Sequence, residues 1–89
     1  MSNIIREYKG NLLKDGSYKV YKAEISDVYE NEITVFLNSG DLGTFILRKH
    51  DNEILIFKST GEKETIFKPE IPLYDIFKDL AKEFLVKKS

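Results

Sequence analysis

Apolar and polar side chains alternate along several short segments of the chain, and turn-forming residues separate these segments. In residues 18–25 the apolar face is formed by Tyr21, Ala23 and Ile25, which predicts a half-buried strand. Similar alternation or a short apolar run marks four later segments, and we predict strands at residues 32–37, 44–49, 53–58 and 63–68. Because the connections are short, these strands are expected to form an antiparallel meander.

The segment 54–57 differs from the other predicted strands because it is apolar on both faces. Such a strand is typical of a central position, with a covering layer on each side of the sheet. One cover is a helix later in the chain; the other must come from the N-terminal segment, from a curled sheet or from another subunit. Residues 4–10 alternate in neither phase cleanly, so we predict a strand there and keep a helix as the alternative for residues 1–13.

The clearest predicted element is a helix near the end of the chain. After Pro72, apolar residues recur at the i, i+3, i+4, i+7 spacing of an amphipathic helix, at Leu73, Ile76, Phe77, Leu80, Ala81, Phe84 and Leu85. Proline is common in the first turn of a helix. We therefore predict a helix over residues 72–87, whose apolar stripe covers the sheet.

Together these elements predict one α+β domain over residues 1–89, with strands within residues 4–68. Its architecture is an antiparallel β-meander of five to six strands, as a twisted sheet or a partly closed barrel, packed against one C-terminal α-helix. This order of elements is similar to that of pleckstrin-homology-like domains. No motif accompanies the similarity, and the chain is short for their seven strands, so it implies architecture and not function.

The composition excludes several kinds of chemistry. The chain has no cysteine and only one histidine, His50, which lies in a predicted turn beside Asp51. Disulfides, thiolate metal sites and Cys–His catalysis are therefore ruled out, and any Ser–His–Asp arrangement would depend on this one turn residue. The loop 38–43 has Gly-x-x-Gly spacing without the lysine of a P-loop or the acidic set of an EF-hand. We predict no enzymatic activity, catalytic residue, metal or cofactor.

The chain is expected to be cytoplasmic. No apolar run approaches the ~18 residues that span a bilayer, and the first residues lack the apolar segment of a signal peptide. Lysine outnumbers arginine 12 to 2, a bias that indicates an AT-rich genome, such as that of a low-GC bacterium or its phages. If the gene is carried by a phage, the location is the host cytoplasm.

The acidic middle of the chain indicates where a partner would bind. The net charge is +3 over residues 1–23, −5 over residues 24–53 and +1 over residues 54–89. Candidate partner-binding residues lie in or beside predicted turns of the acidic part, namely Asp27, Tyr29, Glu30, Glu32 and Asp41. An aromatic side chain among carboxylates suits a basic patch on a protein partner. The leading hypothesis is a small non-catalytic binding or regulatory protein, such as an inhibitor or accessory protein of a phage or mobile element.

Two other functions remain as alternatives. Lys19 and Tyr21, two residues apart in a predicted strand, are spaced as in a stacking platform for single-stranded nucleic acid, although the net charge of −1 does not favour that partner. The other alternative is a small-ligand site between sheet and helix. A homodimer is a further expectation, because an uncovered apolar sheet face is unfavourable in water.

Overall fold

Six strands, one short 3₁₀ helix (Asn38–Gly40) and one α-helix make up the computed structural model, which describes residues 4–85 apart from the side chain of Ser39. The elements are β1 (Ile4–Leu12), β2 (Tyr18–Ser26), β3 (Glu32–Leu37), β4 (Gly43–His50), β5 (Glu53–Ser59), β6 (Glu64–Ile66) and α1 (Leu73–Phe84). Neighbours along the chain are neighbours in the sheet, and every pair is antiparallel. The predicted α+β meander is therefore confirmed, with six strands and an open sheet rather than a barrel.

The strands follow the sequence pattern closely, with differences at both ends of the sheet. The ambiguous N-terminal segment is the edge strand β1. Strand β6 is shorter than the predicted 63–68, because its pairing with β5 covers only Glu64–Ile66. After a last bond of 2.8 Å from the Phe67 N–H to the Ile56 carbonyl, the chain leaves the sheet. The helix begins at Leu73, immediately after Pro72. Of the predicted helix, residues 86–87 lie outside the described part of the chain.

The turn between β1 and β2 is organised by Asp15. Its carboxylate accepts hydrogen bonds from the Ser17 N–H at 3.0 Å and from the Ser17 hydroxyl at 2.5 Å, which lower the pKa of Asp15. Gly16 between them has φ +90°, a conformation that costs glycine little. The Asp-Gly turn is thus made by side-chain capping and backbone freedom together.

The helix covers one face of the sheet and forms the core there. The ring of Phe45 lies 5.1 Å from that of Phe67 and 5.0 Å from that of Phe77, centroid to centroid. The core consists of alternate residues of β2, β3 and β4 and of the helix stripe: Tyr21, Ala23, Ile25, Ile33, Val35, Leu37, Phe45, Leu47, Ile76, Phe77, Leu80, Ala81 and Leu85. Each large side chain buried in this way contributes roughly 1.5–3 kcal/mol, so the helix is a structural element.

Strand β5 does not have the predicted central position. It lies second from the edge of the sheet, because β6 is its outer neighbour and β3 and β4 occupy the middle. Ile54 and Ile56 pack against the core under the helix, whereas Leu55 and Phe57 point to the opposite face. Within residues 4–85 no second layer covers that face.

Strand β1 is joined to the helix by polar contacts. The guanidinium of Arg6 binds the Glu83 carboxylate at 2.5 Å and lies 5.8 Å from the centre of the Phe84 ring. The Tyr8 hydroxyl donates a 3.0 Å hydrogen bond to Asp79. Partial burial and this hydrogen bond both raise the pKa of Tyr8 above its ordinary value. These contacts attach an edge strand to the end and middle of α1.

Tyr8 gives a test of how β1 is attached. The fold favours its neutral hydroxyl, so this stabilisation is complete below the ordinary tyrosine pKa and is lost as the pH rises through the raised one. Tyr8→Phe should lower the free energy of unfolding by about 1 kcal/mol and remove the last phenolate step from an absorbance titration. Tyr18→Phe, at an exposed site, should leave the free energy of unfolding unchanged. Equal losses of stability in the two variants would contradict this account.

Candidate functional site

The face of the sheet opposite α1, hereafter the helix-free face, presents an ordered pattern of side chains. Strand register aligns one row across five strands: Ser26, Thr34, Ile46, Phe57 and Ile66. Phe36 and Leu55 lie in the rows on either side. We call Phe36, Ile46, Leu55, Phe57 and Ile66 the apolar patch. Four of its members are half-buried, and Ile66 is 69% exposed.

Arg48 is the central charge of the helix-free face. Its guanidinium carbon lies 4.9 Å from the centre of the Phe57 ring, so the cation rests on an aromatic surface. It binds the Glu32 carboxylate of β3 at 2.7 Å and the Glu64 carboxylate of β6 at 3.2 Å. The hydrogen bond to Glu32 contributes most to raising the pKa of Arg48. One arginine therefore links β3 to β6 above the apolar patch, and its charge is matched by two carboxylates.

The structure brings four of the five predicted partner-binding residues to one end of the sheet. Asp27, Tyr29 and Glu30 lie in the β2–β3 connection, and Glu32 begins β3. The Tyr29 N–H donates to the Glu32 carbonyl at 2.8 Å, and the Tyr29 side chain is 62% exposed. Asp41 follows the other end of β3, a strand length of ~20 Å away. It does not belong to the same cluster.

Sequence reasoning named none of the apolar patch residues as a site, nor Arg48. Phe36 and Ile46 lie in the outward phase of their predicted strands, where an apolar residue is a detectable signal. Two such residues in neighbouring strands could have been found from the alternation alone. The convergence of Arg48 on Glu32 and Glu64 could not, because it depends on the register of four strands.

A second exposed surface lies at the other end of the helix-free face. Strand β3 pairs only with residues 23–26 of β2, so the outer parts of β1 and β2 project as a two-stranded hairpin. We call residues 9–20 the lysine arm. It carries Lys9, Lys14 and Lys19 against Asp15 alone. Its large exposed apolar residues are Leu12, Leu13, Tyr18 and Val20.

The geometry does not support the predicted stacking platform. Tyr21 is 5% exposed and belongs to the core, so its ring faces the helix side rather than solvent. The Lys19 ammonium lies 5.2 Å from the centre of that ring and covers part of it. A base therefore cannot stack on Tyr21 without displacing core packing.

Two open grooves border the sheet–helix layer. One, of about 360 Å³, lies between β1 and the helix and is lined by Tyr8, Lys9, Pro72, Asp75, Ile76 and Asp79. The other, of about 280 Å³, lies beside β5 and β6 and is lined mainly by apolar residues, among them Ile54, Ile66 and Tyr74. Both grooves are at the periphery rather than enclosed between sheet and helix.

The groups usually associated with catalysis are dispersed. His50 ends β4 in an exposed position, and its Nε2 lies 3.9 Å from the Asp51 carboxylate. The Asn38 side chain accepts a 2.8 Å hydrogen bond from the Lys22 N–H, so it serves the loop after β3. Among residues 4–85 no three acidic or histidine side chains are grouped as a metal site. Nor is any helix in that range long and apolar enough to cross a membrane.

Comparison with protein-family models, curated proteins and solved structures finds no match to this chain.

Proposed function

We propose that the protein is a non-catalytic binding or regulatory protein whose helix-free face docks a protein partner with a basic, partly apolar surface. The observation that carries this proposal is the apolar patch together with its charged rim. Five large apolar side chains occupy neighbouring positions on a face that no other described element covers. Contiguous apolar surface of this kind is unusual on a monomer unless it binds something.

The rim of the patch favours a basic partner. Glu32, Glu53 and Glu64 lie on the same face as Leu55 and Phe57, and Arg48 offsets only part of their charge. The adjoining β2–β3 connection adds Asp27 and the exposed Tyr29 ring. Complementary charge steers a partner and fixes its orientation, while the buried aromatic and aliphatic centre supplies most of the affinity.

The size of the domain suits a regulator that acts by occupying a surface. The described elements, one open sheet with one helix, offer a broad sheet face, which fits protein recognition better than the turnover of a small substrate. An inhibitor or accessory protein encoded by a phage or mobile element, acting in the bacterial cytoplasm, would work in this way.

Two isoleucines provide a matched test of this proposal. Ile66 lies on the helix-free face and is 69% exposed, and Ile71 lies outside it and is 75% exposed. Affinity capture from a low-GC bacterial lysate should yield a specific protein with the wild type and with Ile71→Asp. Capture by Ile66→Asp should fall at least ~10-fold, because a desolvated carboxylate would oppose docking. Both sites are exposed, so neither change should unfold the domain.

The nature of the captured surface is the second part of the test. Glu53→Lys should also weaken capture, and rising salt should do the same, because the attraction is partly electrostatic. A partner retained equally by Ile66→Asp and Ile71→Asp would place the interface elsewhere. The absence of any specific partner for the wild type would count directly against the proposed function.

A further inference from the structure

The lysine arm and the apolar patch lie on the same side of the sheet, and the arm is basic whereas the rim of the patch is acidic. Lys9, Tyr18 and Val20 of the arm share the helix-free face, since Lys9 pairs with Val20 and side chains alternate along β2. The Lys9 ammonium lies 5.4 Å from the centre of the Tyr18 ring. The arm thus presents exposed apolar side chains beside lysines, which is the chemistry that the acidic, apolar opposite end requires.

We propose that two copies of this chain stack their helix-free faces, so that the lysine arm of each lies over the apolar patch of the other. The inference rests on the proposed function, because it names the partner of the same docking surface. A two-fold axis in the plane between the sheets places the basic end of one copy against the acidic end of the second. Lysines of one copy then meet carboxylates of the other at both ends of the interface, as a self-complementary interface requires.

Charge complementarity is the argument for a second copy rather than another apolar partner. The arm carries Lys9 and Lys14 at its exposed positions, and the opposite end of the face carries Glu32 and Glu53. If the two copies stacked with their basic ends on the same side, like charges would meet at each end. Contacts between like charges disfavour that arrangement. The antiparallel stack alone brings unlike charges together at both ends.

The available area is sufficient for a stable contact. Six strands ~4.8 Å apart, with about 20 Å of usable length, give the face on the order of 600 Å². The arm extends this area towards the ~800 Å² per partner of a standard interface. Leu12 of the arm is 63% exposed in the single chain. Isolated two-stranded hairpins are only marginally stable in water. Docking would therefore also stabilise the arm.

Stacked copies would conceal the surface that a different partner needs. A protein that binds the apolar patch must then displace the arm of the second copy. The partner's basic surface then competes with Lys9 and Lys14 for the same carboxylates. Capture of such a partner should accordingly be strongest at low concentrations of the protein.

Charge reversal tests the arrangement directly. Sedimentation equilibrium of the wild type should show a dimer. The arm variant Lys9→Glu/Lys14→Glu and the rim variant Glu32→Lys/Glu53→Lys should each dissociate at least ~10-fold more readily, because like charges then meet at both ends. Mixed in equal amounts, the two variants should re-form a heterodimer, since unlike charges meet again. Lys78→Glu/Lys82→Glu, on the exposed side of α1, is the control of equal charge change and should remain dimeric.

The remaining outcomes are each decisive. A wild type that is strictly monomeric at about 1 mM overturns the inference, and so does a dimer that resists both reversals, as pairing of the exposed β1 edge would produce. Failure of the mixed variants to associate, with each folded by circular dichroism, overturns it as well. A monomer that still captures a partner through Ile66 would leave the proposed function standing, whereas a monomer with no such partner would remove both.

Discussion

Replacing Phe77 by alanine is expected to lower the free energy of unfolding by about 3–5 kcal/mol. The ring is fully buried in the middle of α1 and lies 5.0 Å from Phe45, which in turn contacts Phe67. Truncation would leave a cavity at the point where helix, β4 and the segment after β6 meet. A domain of this length has a total stability of roughly 5–10 kcal/mol, so most of it would be lost.

Tyr74 is the matched control for this change. It is an aromatic residue of the same helix, but it is 44% exposed, and the Lys78 ammonium lies 5.6 Å from its ring. Tyr74→Ala should cost less than about 1.5 kcal/mol. Urea unfolding of both variants, followed by circular dichroism, measures the difference. Equal losses would mean that α1 is not seated on the sheet through Phe77.

Replacing Gly43 by alanine should have the second-largest effect, a loss of about 2–3 kcal/mol. Gly43 has φ +126°, which side chains rarely adopt, and an added Cβ would lie 3.3 Å from the ring of Phe45 and 3.3 Å from the end of the Lys58 side chain. The lysine can move aside, whereas the Phe45 ring is held between two other rings. Backbone strain and crowding of the core therefore act together at this residue.

Gly16 separates these two contributions. It also has a positive φ, of +90°, but an added Cβ would meet nothing within 4 Å. Gly16→Ala should therefore show the conformational cost alone, about 1 kcal/mol. The excess loss in Gly43→Ala, measured by thermal unfolding, reports the contact with Phe45 together with the additional backbone strain of the larger φ at Gly43. If both substitutions cost the same, the approach of Gly43 to the core is unimportant.

The two faces of the sheet have different surroundings, and this difference is the reason why we propose the helix-free face as the docking surface. The helix side is filled by the core and by the contacts of Arg6 and Tyr8 with α1. The helix-free side contains apolar residues that contribute little to that core, with Arg48 held above Phe57 by two carboxylates. Variants on the first side should therefore act on stability, and variants on the second side on association.

Secondary structure was readable because its signals are local. The inward residues Ile33, Val35 and Leu37 follow the period of two in β3, and all three are fully buried. The spacing of Leu73, Ile76, Phe77 and Leu80 required one helix with one apolar side. Such patterns reflect which side of an element faces a core, and they need no knowledge of its neighbours.

The candidate site was only partly readable. Glu32 and Tyr29 were identified as part of an acidic cluster, and the fold places them at one end of the sheet. Asp41 was grouped with them because it is close in the sequence, but the length of β3 separates it from them. Linear proximity fails across a strand because each residue advances the chain by ~3.3 Å.

By itself the sequence determined the α+β class, a meander of five to six strands followed by one helix, the inward residues of β2, β3 and α1, and the absence of thiol chemistry. Those properties follow from periodicity and composition. Only the tertiary structure decided that β5 lies near an edge, that the sheet stays open, and that Arg48 joins Glu32 to Glu64 across the apolar patch. The reason is that strand order and register are set by contacts between residues distant along the chain, and these contacts also create the surface on which the proposed function depends.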